Sequence, residues 1–184
     1  MSSGLKIFRE DFLNANTWPQ RKDGVPLDLL DNLNSDELRV AENELIAIAD
    51  TKDDWPIKGL GHIKSEKSLP KLYELLKRSK KLMKVTIAEA IYQICGDEQM
   101  INIALTETPK ISNEFALIDV MYTLSKFQDG RVKNLLNDYR NHTKYLVAYN
   151  ATQALGLPTE PVVDKFRDHK PTSFWNRITS PWNN

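Results

Sequence analysis

The sequence predicts an all-α protein whose consecutive helical hairpins stack into a right-handed solenoid. Three observations carry that expectation. Apolar residues recur with a helical beat through most of the chain, as in "AEAIYQICGDEQMINIAL". Seven glycines in 184 residues are too few for an all-β chain full of tight turns. The same hairpin pattern also returns four times. With Ile91 as reference, Leu60, Leu124 and Leu155 hold the equivalent place, at spacings of 31, 33 and 31 residues. A constant period of that size marks stacked units, none of which shields its own apolar face.

Residues 1–52 read as a segment of capping helices. The opening "MSSGLKIFREDFLNANTW" has no unbroken apolar stretch between a basic start and a small-residue cleavage site, so it is a poor signal peptide. Further on, "PLDLLDNLNSDELRVAENELIAIADTKDD" predicts a short helix and then a longer one from about Ser35 to Ala49. Leu38, Leu45, Ile46, Ile48 and Ala49 supply its apolar side.

Residues 53–170 hold the four hairpins. First helices are expected over 54–63, 82–95, 114–127 and 144–155, each followed by a polar break: "KSEKS", "GDE", "QDGR" and "GLPTE". A second helix follows each break. Its apolar stripe is Leu69, Leu72, Leu75 and Leu76 in the first copy, and Val132, Leu135, Leu136 and Tyr139 in the third. Ser68 before Leu69-Pro70 has the form of an N-cap with proline in the first turn, and Asp97, Ser112 and Thr143 stand at other helix starts. Pro109, Pro158 and Pro161 fall in connections, where a missing N–H does little harm. Ala88, Ala90, Ala148, Ala151 and Ala154 supply the short side chains that close helix crossings require.

The pattern in "NATQALGL" and "AEAIYQICGD" resembles the short HEAT-like repeats of many bacterial proteins, over roughly Asp53 to Lys170. The period is shorter than the 40–47 residues of the longer eukaryotic form. Only Lys84 supplies a basic residue early in a first helix. Residues 171–184, with two Trp, one Phe and two Pro, have no helical beat and read as an aromatic tail that seals the last repeat.

Chemistry is sparse. Gly59-Leu60-Gly61 lies inside a predicted helix and reads as tight packing rather than a phosphate loop. His62, His142 and His169 are scattered without metal-ligand spacing, so no metal or other cofactor is expected. Cys95, the one cysteine, follows an apolar helix end and reads as a buried inert thiol; alone, it fits a reducing compartment. The acidic run Asp50–Asp54 reads as helix-start chemistry, with Asp53 or Asp54 capping the helix that opens at Trp55-Pro56. No run of about 18 apolar residues occurs, so no membrane span is expected and a cytoplasmic location is.

Charge is the more informative signal. The net formal charge is zero, yet residues 23–54 hold ten acidic and two basic residues while 58–84 hold nine basic and two acidic ones. Mutual screening of the two segments is the plainest expectation. An extended helical surface without a catalytic constellation points to a non-catalytic protein-binding scaffold or inhibitor, not an enzyme. An immunity-type protein that neutralises the toxin of a neighbouring gene is the narrower expectation, by class analogy. The alternative is nucleic-acid binding through the basic segment 64–84. A lyase-like enzyme acting on a bound pigment or cofactor has HEAT-like relatives behind it but no local chemistry. With second helices lining the concave side of a solenoid, the expected partner-binding residues are Lys71, Glu74, Lys77, Arg78, Asn102, Lys133, Asn134, Asp138, Lys165 and Asp168.

Overall fold

A computed structural model describes residues 3–167, and these form twelve α-helices with no strand. The expected aromatic tail, His169 and Asp168 lie outside the described residues. Among those residues no helix is long and apolar enough to cross a membrane.

Helix α1 (Ser3–Phe8) runs into a π-helical turn, Arg9–Leu13. Two short helices follow, α2 (Trp18–Arg21) and α3 (Asp28–Asp31), and then α4 (Ser35–Ile48). Asn34 caps α4, accepting from the N–H groups of Asp36 and Glu37, while the Glu37 carboxylate accepts from the Asn34 N–H. Within the expected capping segment, the sequence pattern places no individual helix over residues 3–13. In fact Phe8 and Phe12 are fully buried, and Phe12 meets Trp55 edge-on at 5.7 Å between ring centroids. The first three dozen residues therefore pack into the same core as the first hairpin.

The hairpins follow. They are α5 (Trp55–His62) with α6 (Leu69–Arg78), α7 (Lys81–Cys95) with α8 (Gln99–Glu107), α9 (Glu114–Leu124) with α10 (Gly130–Tyr139), and α11 (Tyr145–Ala154) with α12 (Glu160–Arg167). The first helices pack in sequence, α5 on α7, α7 on α9 and α9 on α11. Of the second helices, α8 packs on α10, whereas α6 leans on α7 and α12 on α11. Leu60, Ile91 and Leu124 are all fully buried, and Leu155 is partly so.

Close packing accounts for the two helical glycines. A Cβ on Gly61 would lie 3.0 Å from both Cα and Cβ of Ala90, and one on Gly59 would lie 3.0 Å from the Phe12 ring. Helix α5 thus touches α7 backbone to backbone on one side and the N-terminal aromatics on the other.

Four local expectations need correction. Cys95 is exposed, because the last turn of α7 runs past its neighbours before Gly96 turns the chain in the left-handed region, φ 70°. Ile48 is also exposed, since it lies on the outer side of the last turn of α4, whose other side buries Leu45 and Ala49. Ser68 does not cap α6: its hydroxyl donates back to the Ser65 carbonyl at 2.7 Å. The cap of α9 is Asn113 rather than Ser112, its side chain accepting from the Ala116 N–H at 3.0 Å. Asp53 does serve the start of α5, accepting from the Trp55 N–H at 3.0 Å.

Candidate functional site

Helix α7 touches α5, α6, α8 and α9. Seven consecutive residues, Val85 to Ile91, are buried. Five of them are apolar or alanine, as a central helix requires. The other two are Thr86 and Glu89, with 1% and 3% of their surface exposed. Three residues apart on a helix, they share one face. That face does not open onto the apolar core.

It opens instead onto two cavities that meet the same three helices. One, about 460 Å³, lies at the head of α7; Thr86 lines it with Asp54 and Lys52 on one side, Lys80 and Lys81 at the mouth, and Asp119 of α9 opposite. The other, about 480 Å³, lies further along; Glu89 and Gln93 line it between Lys58 and His62 of α5 and Lys126, just past α9. Side chains of α5 and α9 rise on either side, and α7 is the floor of a recess between them. Polar groups are buried here because their neighbours stand higher.

The electrostatics follow from that depth. Lys58 pairs with Asp54 at 2.5 Å, one helical turn away. Glu89 has one ion pair among the described residues, to Lys126 at 3.7 Å. Burial pushes the Glu89 carboxyl above the ordinary carboxylate range, with Lys126 and Lys58 pulling the other way. Desolvation also raises the Asp119 carboxyl, although its side chain still reaches solvent; Lys58 opposes the rise and Asp54 adds to it. Asp119 forms no ion pair among the described residues. The Thr86 hydroxyl is buried and has no hydrogen-bond partner. A buried hydroxyl without a partner costs about 1–3 kcal/mol, so the recess carries a standing penalty at its floor.

The head of α7 is held in place by the far end of its own hairpin partner, α8. The Glu107 carboxylate accepts from the Lys81 N–H at 3.1 Å and from Lys110 Nζ at 2.8 Å, and Lys84 lies 4.0 Å away. These contacts hold the Glu107 carboxyl below the usual range, the Lys110 hydrogen bond most and burial opposing it. The next N–H groups, those of Leu82 and Met83, have no acceptor among the described residues. Along the α9 edge, Phe115 is 71% exposed one turn before Asp119, and Leu146 of α11 is also exposed. Between them the Tyr122 hydroxyl bonds the side chains of Asn150 at 2.6 Å and Gln153 at 2.7 Å.

The described residues among those expected to bind a partner lie on the second helices and line neither of these cavities. Glu74 and Arg78 pair with each other at 3.2 Å, and Asn102 accepts from Arg131 at 3.3 Å. Lys77, Lys133, Asn134 and Asp138 are exposed, and Lys71 is half-buried. Lys133 borders a separate cavity beside Leu155, and Lys165 another beside Phe166. Charge screening between the acidic and basic segments is partial. Arg9 pairs with Glu44 and Arg21 with Asp53, both from the N-terminal helices, while His62 meets Asp31 and Lys58 meets Asp54. Lys64, Lys71, Lys77 and Lys80 form no ion pair among the described residues.

Sequence reasoning missed the recess. One signal was present: Thr86 and Glu89 interrupt the most apolar helix at a spacing of three. Among the described residues, no group of three or more His, Cys, Asp or Glu side chains is placed to hold a metal. The chain matches no family model, and no curated protein or solved structure is measurably similar to it.

Proposed function

We propose that the protein is a non-catalytic binding scaffold or inhibitor, a right-handed solenoid of short HEAT-like repeats that takes a segment of a partner protein along the recess over α7. The observation that carries the reading is the buried polar floor, Thr86 and Glu89, between walls of mixed charge. A monomer gains nothing from a hydroxyl held out of water without a partner, as that of Thr86 is, or from a carboxylate buried as deeply as Glu89 beside one lysine, whereas a bound segment can satisfy both. The exposed Phe115 and Leu146 beside the recess add the apolar contact that binding surfaces concentrate. The side-by-side packing of α5, α7, α9 and α11, together with the 31–33-residue period, supports the repeat architecture. An immunity-type role towards a toxin is the narrower form of this reading.

The test is capture of a stoichiometric partner from the native cell by the tagged protein. The wild type should retain one, and Phe115→Ala combined with Asp119→Ala should lose it while its helical circular dichroism stays unchanged. A partner held equally by both forms would overturn the recess as the binding site.

A further inference from the structure

The cavity at the head of α7 offers more than a general polar surface. Its mouth holds the N–H groups of Leu82 and Met83, without acceptors, at the start of a 15-residue helix, where the macrodipole favours an anion. Lys52, Lys80 and Lys81 surround that mouth, and none of their ammonium groups pairs with a carboxylate among the described residues. Across the cavity, on the α9 side, the chemistry reverses. Asp54 is already committed to Lys58 at 2.5 Å, with Arg21 at 3.9 Å, but Asp119 has no ion pair. The buried Thr86 hydroxyl, also without a partner, lies on the same floor. An anion site at the head of α7 and a cation site on the α9 side therefore face one cavity of about 460 Å³, at the scale of a single large residue rather than a chain.

We propose that this cavity receives the C-terminal residue of a partner polypeptide when that residue is Arg or Lys. The terminal carboxylate lies against the Leu82 and Met83 N–H groups with Lys80 and Lys81 beside it. The basic side chain reaches across to the Asp119 carboxylate and donates to the Thr86 oxygen. A plain anion would leave Asp119 and Thr86 unsatisfied, and a plain cation would meet three lysines at the entrance. A residue carrying both charges satisfies every group. The proposal rests on the protein-binding reading and names what that partner presents.

Fluorescence polarisation with labelled peptides tests it at low salt. The probes end in Gly-Gly-Arg with a free carboxylate, in the same sequence as the C-terminal amide, and in Gly-Gly-Glu with a free carboxylate. The free-acid Arg peptide should bind, with the amide and the Glu peptide at least tenfold weaker. Asp119→Asn should weaken it tenfold or more and Thr86→Val about fivefold, both with unchanged circular dichroism, while Lys77→Ala on α6 should leave it unaltered. Equal binding of acid and amide, no effect of Asp119→Asn, or free arginine competing as well as the peptide would each overturn the proposal. Absence of peptide binding, with the native partner still lost on Phe115→Ala and Asp119→Ala, would overturn it and leave the scaffold reading standing. Loss of both would remove the scaffold reading as well.

Discussion

Two neighbouring helices, α6 of the first hairpin and α7 of the second, meet water differently. On α6 the outward residues Glu74, Lys77 and Arg78 are exposed, and the one ion pair among them spans a single helical turn. Such a pair contributes at most a few tenths of a kcal/mol, and the surface adapts to almost any substitution. On α7 the equivalent outward position holds Thr86 and Glu89, both buried, one without any partner and the other with a single distant one. A charged surface is ordinary in a folded protein; polar groups buried without partners are not. The difference teaches that the side with more charge need not be the side with more capacity for recognition.

The comparison breaks most severely if the first helices are forced apart. Gly61→Val places two methyl groups where even a Cβ would lie 3.0 Å from the Ala90 backbone. Denaturant unfolding should show a loss of about 2–3 kcal/mol, while Gly130→Ala, with open space around it, should show no such packing cost. A smaller effect of opposite sign sharpens the contrast. Thr86→Val removes a hydroxyl that has no partner, and should raise stability by about 1 kcal/mol while weakening peptide binding. A fall in stability would mean that the hydroxyl is satisfied in the folded protein.

Glu89 sharpens it through pH. Its folded pKa is raised, by burial first of all, so its carboxyl favours folding while protonated. That contribution is complete below the ordinary Glu value and is lost as pH rises through the folded value. Glu89→Gln should therefore gain stability relative to the wild type as pH increases from 4 to 8, read as the difference in thermal midpoint. Glu107 runs the other way: its lowered carboxyl stabilises above the ordinary range and loses that contribution as pH falls through the folded value. Glu107→Gln should be most damaging at neutral pH and least at pH 3. The smallest effect belongs to α6, where Lys77→Ala should stay within about 0.5 kcal/mol of the wild type.

Much of the fold was legible because its signals are local. The stripe of Leu72, Leu75 and Leu76 is buried as its spacing predicts, Asp53 serves the start of α5, and Gly59 and Gly61 sit at close contacts rather than in a phosphate loop. The N-terminal residues were less legible. Phe8 and Phe12 are four apart, a spacing that fits a helix, but "FREDFLNAN" is too short and too charged to declare one; the packing of Phe12 against Trp55 completes it. Cys95 misled for a related reason: an apolar helix end is buried only if something lies beyond it.

Helix, hairpin and period follow from the order of residues alone, because hydrogen bonds and side-chain contacts four residues apart set them. Which helix would be sunk between its neighbours is not written in any such window. Thr86 and Glu89 are buried by α5 and α9, whose contributing residues lie some thirty positions away on either side. Only when the three helices lie together do ordinary polar residues become a buried floor, since desolvation depends on everything within reach of a group and not on its own place in the chain.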